Sequence, residues 1–208
     1  MSLQKILGQV PLIPVLAIRN PDHAVPLARA LAEGGLTILE VTLRTPVALE
    51  ALRLIREAMP DITLGVGTVL QPEDMDRAAN AGASFAVSPG FTKRIADAGR
   101  YSGIPLLPGV ATVSEMMLVR ELGYRALKFF PAGPMGGPAA LKAIAPVMPD
   151  LAFCPTGGVT TANLAEYLAL PNVFCAGGSW VAPDALVQAQ DWKAISDLAR
   201  KAIAASGR

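Results

Sequence analysis

Residues 36–59 read LTILEVTLRTPVALEALRLIREAM. The first half is a short run of apolar and β-branched residues, which favours a strand, and the second half repeats apolar residues at helical spacing. Thr45-Pro46 between them predicts an N-cap followed by proline at the first helical position. The stretch is therefore one complete strand–helix unit, and a chain of such units forms a parallel sheet covered by helices.

The same alternation occurs eight times between residue 11 and the C-terminus. A barrel of parallel strands closes at eight, so we predict an α/β fold of the (β/α)8 TIM-barrel type, with a short N-terminal helix in MSLQKILGQV. An open doubly wound sheet is the competing fold, but no GxGxxG follows the first strand to mark a dinucleotide site. The predicted strands are residues 12–18, 36–43, 62–67, 83–88, 105–108, 124–130, 151–156 and 173–176.

The composition limits the classes of function. The chain has 208 residues, of which 52% are hydrophobic, and this fits one domain spanning residues 1–208. Its 18 basic and 17 acidic side chains give a net charge of +1, so neither nucleic acid nor a membrane is an expected partner. No apolar run reaches the ~20 residues of a membrane span, and the N-terminus lacks a signal-peptide pattern. We therefore expect a cytoplasmic protein.

The cysteines and the histidine argue against several kinds of site. Cys154 and Cys175 lie in apolar runs without CxxC spacing and are predicted to be reduced core residues. His23 is the only histidine in the chain. A histidine-based metal centre and a Ser-His-Asp triad are therefore not expected, and the chemistry has to come from other side chains.

A lysine in a predicted strand is the first candidate. LKFFPA, residues 127–132, places Lys128 inside a short apolar run, whereas the other five lysines fall in segments with helical patterning. Burying an unpaired ammonium costs several kcal/mol and favours the neutral amine, which is a nucleophile. The alternative is a lysine near a strand end whose head reaches solvent.

The second predicted strand carries two further candidates. Strand parity places Glu40 and Arg44 on the same face, opposite Leu39 and Val41, which pack against helices. A carboxylate and a guanidinium then point into the barrel toward its C-terminal end, where TIM barrels keep their active sites. A purely structural pair between Glu40 and Arg44 is the alternative.

Glycines and hydroxyls follow three other strands. GVGT ends the third strand with Thr68, which on its own is a weak indication of a site. Thr156-Gly157-Gly158 and Gly177-Gly178-Ser179 follow the seventh and eighth strands, where phosphate-binding barrels hold their phosphate. Tight turns alone would also explain each glycine pair. Together with one amine, one carboxylate and one guanidinium, these groups suit Schiff-base chemistry on a keto acid that carries a phosphate.

Seven motifs together closely resemble one family. They are LEVTLRT, GVGTVL, VSPGFT, IPLLPGVATVSE, KFFPA, FCPTGG and CAGGSW, and they span nearly the whole chain. In this order and near these spacings they are similar to 2-keto-3-deoxy-6-phosphogluconate (KDPG) aldolases, which also cleave 4-hydroxy-2-oxoglutarate (KHG). The chain departs from the family in the loop after KFFPA, which reads GPMGG where relatives carry a glutamate.

The resemblance implies a role for each candidate. Lys128 would form the Schiff base and Glu40 would be the general acid/base. Arg44 and Thr68 would hold the pyruvate carboxylate. The pocket would be shaped by Pro89 and Phe130, with Thr156 favouring the gluconate over the galactonate substrate. Phosphate would be bound by Gly157, Gly158, Gly178 and Ser179.

The implied activity is that of a class I aldolase. It would cleave KDPG to pyruvate and glyceraldehyde 3-phosphate, and also KHG to pyruvate and glyoxylate, through a covalent lysine imine and without a metal or other cofactor. The resemblance also suggests a homotrimer. Four alternatives remain: 2-dehydro-3-deoxy-6-phosphogalactonate (KDPGal) aldolase, a phosphate-binding isomerase or epimerase, a non-catalytic barrel that binds sugar phosphates, and a metal-dependent pyruvate aldolase.

Overall fold

The computed structural model of the protein describes residues 2–207 and consists of short parallel strands that alternate with helices. The strands are β1 (Leu12–Leu16), β2 (Ile38–Thr42), β3 (Thr63–Gly67), β4 (Phe85–Val87), β5 (Leu106–Leu107), β6 (Gly109–Val110), β7 (Ala126–Phe129), β8 (Ala152–Pro155) and β9 (Ala176–Gly178). The helices are α1 (Leu3–Leu7), α2 (Ala24–Glu33), α3 (Ala48–Ala58), α4 (Glu73–Asn80), α5 (Lys93–Tyr101), α6 (Val113–Glu121), α7 (Gly137–Ile144), α8 (Leu164–Leu168), α9 (Asp184–Gln188) and α10 (Trp192–Ala205). The predicted α/β class and the predicted N-terminal helix are confirmed.

Two parallel sheets carry the strands. One is a six-stranded sheet curled into half a barrel, with the order β5-β4-β3-β2-β1-β9, and the other has the order β6-β7-β8. Only Pro108 separates β5 from β6. At the other edge, isolated parallel bridges join Phe153 to Val173 and Thr156 to Gly177. The two sheets are therefore adjacent at both of their edges.

Most predicted strand ends differ from the observed ones by one or two residues, and three of the differences along the chain have a local reason. The fifth strand continues past its predicted end to Val110, interrupted by Pro108, which has no N–H to donate to a ladder. The eighth strand lies at Ala176–Gly178 rather than 173–176, because these glycine-rich residues pair with β1. Helix α3 begins at Ala48, since the Thr45 hydroxyl donates to the Ile18 carbonyl at 2.6 Å instead of capping a helix.

Side-chain parity divides the apolar residues into two cores. The larger core lies between strands and helices and includes Leu39 and Val41 of β2. The second core contains Ile38 and Phe85, at the starts of β2 and β4, together with Leu7 of α1. Apolar residues therefore fill the interior near the N-terminal ends of the strands. Inward-facing side chains at later strand positions lie nearer the C-terminal ends.

Two further observations concern membranes and thiols. No helix within the described part of the chain has the length and apolar character needed to cross a membrane. Cys154 and Cys175 are reduced and buried, as predicted.

Candidate active site

Lys128 lies on β7 between two neighbouring strands, opposite Gly109 of β6 and Cys154 of β8. The residue is only 6% exposed, so its amine does not reach solvent in the way that the alternative interpretation required. Its Nζ lies 3.3 Å from Glu40 Oε1 and 5.5 Å from the centre of the Phe130 ring. A buried amine therefore sits between a carboxylate and an aromatic face, where the ring also attracts a cation.

Glu40 reaches this position from β2, 88 residues away in the chain. The residue is 4% exposed and points inward, as strand parity predicted. Gly67 at the end of β3 makes room for it, because a Cβ on Gly67 would overlap the Glu40 carboxylate. Glu40 pairs with Lys128, and the alternative, a structural Glu40–Arg44 pair, is not formed.

The paired amine and carboxylate can together carry out addition to a ketone and the proton transfers that accompany it. A neutral amine adds to a ketone, and a carboxylic acid or carboxylate within hydrogen-bond reach can deliver or remove the protons that this addition requires. Replacing a buried ion pair by apolar residues is often neutral or stabilising, so stability alone is a weak reason to keep one. The arrangement therefore favours a catalytic role.

Arg44 follows the end of β2 and has an exposed side chain. Its Nε donates to Thr42 Oγ1 at 3.0 Å. Both nitrogens at the tip of the guanidinium, Nη1 and Nη2, remain available to an anion at the mouth of the strands.

A cavity of about 220 Å³ joins most of the predicted site residues. Seven of them line it: Arg44, Phe130, Thr156, Gly157, Gly158, Gly178 and Ser179. Val15, Val159 and Gly177 also line it and were not predicted as site residues. Val15 lies on the same face of β1 as Ile13, which belongs to the second core, so strand parity could have identified it.

The glycine pairs give the cavity its shape. Gly157 and Gly158 have φ of 86° and 82°, a left-handed conformation that favours glycine. The loop after β7 packs directly on them, because Gly133 N–H donates to the Gly157 carbonyl at 2.8 Å. Turns without side chains leave backbone N–H groups accessible, which suits an anion.

Two predicted residues lie outside this group. Thr68 has φ of 62°, which is unusual for a residue other than glycine, and lines a neighbouring cavity of about 330 Å³ together with Thr45 and Asp74. Pro89 follows β4, and its backbone packs closely against Gly109. The structure thus brings Lys128 and Glu40 together and places seven predicted residues around one cavity. Thr68 follows Gly67, which adjoins Glu40, and Pro89 adjoins Gly109, which pairs with Lys128.

Metal-ligating side chains are dispersed. Within residues 2–207, no three His, Cys, Asp or Glu side chains lie close enough together to hold a metal ion.

Comparison with known protein families identifies the chain. The family model for KDPG and KHG aldolase matches residues 3–198. The chain belongs to the KDPG and KHG aldolase family. The resemblance inferred from the seven motifs is thereby confirmed.

Relatives in the KDPG and KHG aldolase family match over nearly their full length. The 2-dehydro-3-deoxy-phosphogluconate aldolase of Pseudoalteromonas atlantica is 50% identical over 203 residues, which is 98% of this chain and 94% of the relative. The KHG/KDPG aldolase of Escherichia coli K12 is 46% identical over 202 residues, or 97% of this chain and 95% of the relative.

One solved structure of the KDPG and KHG aldolase family records a reaction intermediate. It is the KDPG aldolase of Legionella pneumophila with pyruvate captured as a covalent carbinolamine. This protein is 46% identical and superposes with a TM-score of 0.95, and the match covers 98% of both chains.

Proposed function

We propose that this protein is a class I aldolase that cleaves KDPG to pyruvate and glyceraldehyde 3-phosphate, and also KHG to pyruvate and glyoxylate. The observation that carries the proposal is the buried Lys128–Glu40 pair, with 3.3 Å between Nζ and Oε1, near a glycine-lined cavity. The names of the relatives support the substrates, and the pyruvate carbinolamine of the Legionella relative supports the amine chemistry.

Lys128 is the nucleophile in this mechanism. Its neutral amine attacks the C2 ketone and forms a carbinolamine, which loses water to give an iminium. When the C3–C4 bond breaks, its electron pair flows into the iminium and leaves an enamine of pyruvate on the lysine. Protonation of the enamine at C3 and hydrolysis release pyruvate. The imine is the electron sink, so the reaction needs no metal or other cofactor.

Glu40 moves the protons. Its acid form protonates the departing hydroxyl of the carbinolamine, and the resulting carboxylate takes the proton of the C4 hydroxyl as the C3–C4 bond breaks. The distance of 3.3 Å to Lys128 keeps both steps within reach of one carboxyl group.

The remaining residues bind and select the substrate. Arg44 and Thr68 hold the carboxylate, Pro89 and Phe130 shape the pocket, and Thr156 selects the configuration at C4. Thr156 is 7% exposed and lines the cavity, which supports contact with the reacting part of the substrate. The phosphate lies on the two glycine turns, at Gly157, Gly158, Gly178 and Ser179.

A coupled assay tests the proposal. Pyruvate release is measured for KDPG, KDPGal and KHG with the wild-type protein and with Glu40→Gln. We expect KDPG to be cleaved fastest, EDTA to have no effect, and Glu40→Gln to slow turnover by ~10²–10⁴-fold. Faster cleavage of KDPGal would reassign the substrate. Absence of pyruvate from all three compounds would overturn the proposal in favour of an isomerase or a non-catalytic barrel.

We also propose that the strands form one closed (β/α)8 barrel and that residues 1–208 form a single domain. Two features support closure: only Pro108 separates β5 from β6, and two bridges connect β8 with the segment around β9. A continuous core with members from Leu12 to Ala202 supports a single domain.

A homotrimer and a cytoplasmic location complete the proposal. Three exposed apolar side chains on α6, Val113, Met117 and Leu118, support an interface between copies. The reduced state of Cys154 and Cys175 is consistent with a reducing compartment.

A further inference from the structure

Thr42 is a buried threonine between Glu40 and Arg44 on β2. It is 1% exposed, and its hydroxyl makes two hydrogen bonds. Oγ1 donates to the Leu16 carbonyl at 2.8 Å and accepts from Arg44 Nε at 3.0 Å. The directions follow from chemistry, because the arginine Nε–H can only donate and the hydroxyl has one proton, which goes to the carbonyl.

The Leu16 carbonyl is a rigid anchor for this pair of hydrogen bonds. Leu16 is the last residue of β1 and pairs with Val41 in the ladder between β1 and β2. Thr42 thus ties the end of β1 to the end of β2 and offers a fixed acceptor above them. Among the described residues, this acceptor is the one hydrogen-bond partner of the Arg44 side chain.

We propose that Thr42 is a positioning residue that orients Arg44 for the substrate carboxylate. Because Nε is held by Thr42, the guanidinium presents Nη1 and Nη2, and the carboxylate binds end-on to these two nitrogens. Without the hydroxyl, an exposed arginine samples many rotamers and must lose that freedom on binding. This inference rests on the proposed function and adds a residue to it.

Thr45 provides a matched control. Its hydroxyl also donates to a backbone carbonyl, that of Ile18 at 2.6 Å, so Thr45 supplies the same kind of link between the segments that follow β1 and β2. Unlike Thr42, it makes no hydrogen bond to Arg44. Thr45→Val therefore removes a comparable hydrogen bond and keeps the hydroxyl that Arg44 Nε contacts.

The test is borohydride trapping of pyruvate as a function of pyruvate concentration. Thr42→Val should raise the half-saturating concentration roughly ten- to hundredfold, the effect of one hydrogen bond to a charged group, while the rate at saturation stays within about twofold. Thr42→Ser restores the hydroxyl and should restore the wild-type value. Thr45→Val should leave the half-saturating concentration unchanged.

A double-mutant cycle separates positioning from a general loss of structure. In an Arg44→Ala background, Thr42→Val should cause no further rise in the half-saturating concentration, although its effect on melting temperature should persist. The same rise with and without Arg44, or no recovery with Thr42→Ser, would overturn the proposal. Absence of trapping in the wild-type protein would instead overturn the proposed aldolase activity.

Discussion

At the scale of single residues, the position of the Glu40 carboxylate depends on the absence of a side chain at residue 67. Gly67 lies on the adjacent strand β3, and Glu40 Oε1 is the atom nearest to where its Cβ would be. Proton transfer requires heavy atoms within hydrogen-bond distance, so a displacement of about 1 Å has a large kinetic effect. Gly67 is therefore part of the site although it carries no functional group.

Gly67→Ala should lower kcat by about 10²-fold, because the new methyl group displaces the carboxylate from Lys128. Gly90→Ala is the matched control, since a Cβ at Gly90 meets nothing within 4 Å. Turnover is measured with KDPG, and circular dichroism shows that both variants fold. Normal turnover in Gly67→Ala would show that Glu40 tolerates displacement and that Gly67 is not part of the site.

The sequence predicted the side chains of the site better than their surroundings. Lys128, Glu40 and the glycine turns could be identified because a charge in an apolar strand, strand parity and paired glycines are local patterns. Gly67 and Thr42 could not be identified from the sequence, because their roles depend on how neighbouring strands from different parts of the chain are aligned.

At the scale of elements, helix α6 is the element that precedes β7, the strand that carries Lys128. The N-terminus of α6 is a capping box: the Thr112 hydroxyl accepts from Glu115 N–H, and the Glu115 carboxylate accepts from Thr112 N–H at 2.8 Å. Burial acts to raise the pKa of Glu115, but the hydrogen bonds from Ala111 and Thr112 outweigh it, so the pKa lies below its ordinary value of 4.5.

A depressed carboxyl pKa stabilises the fold above the ordinary pKa, and this stabilisation is lost as the pH falls through the folded value. Glu115→Gln should therefore cost about 1 kcal/mol of unfolding free energy at pH 7, and this difference from wild type should shrink as the pH falls below 4.5. Urea unfolding across this range measures it. Glu121→Gln, at the exposed end of α6, is the control and should have no such effect. A difference that is independent of pH would contradict the assignment.

The elements differ in how much the sequence revealed about them. Each of the eight predicted strands corresponds to an observed one, because apolar runs and helical spacing are strong signals. The eighth strand was misplaced because its pairing residues are glycines, which have low strand propensity and are held by β1. The role of Thr45 was predicted wrongly for a similar reason, since its hydrogen-bond partner is Ile18, 27 residues earlier in the chain.

At the scale of the whole molecule, α6 also has an outer surface that a monomer would leave in water. Met117 and Leu118 are 53% and 52% exposed, while Met116 and Val119 of the same helix are buried. Apolar residues around most of a helix are typical of an element that is covered on both sides. This is the physical support for the proposed homotrimer.

A double variant, Met117→Glu with Leu118→Glu, should dissociate the assembly, because burying two carboxylates in an apolar interface is costly. Light scattering should show three times the monomer mass for the wild-type protein and the monomer mass for the variant. Lys201→Glu, on the exposed side of α10, is the control for added negative charge and should remain trimeric. A trimeric double variant would place the interface elsewhere.

Peptide mapping after borohydride reduction in the presence of pyruvate tests whether Lys128 forms the imine. We expect one reduced pyruvate on the peptide that contains Lys128, no label on the other five lysines, and no label on Lys128→Met, with circular dichroism showing that this variant is folded. Label on a different lysine, or trapping that survives Lys128→Met, would show that Lys128 is not the residue that forms the imine.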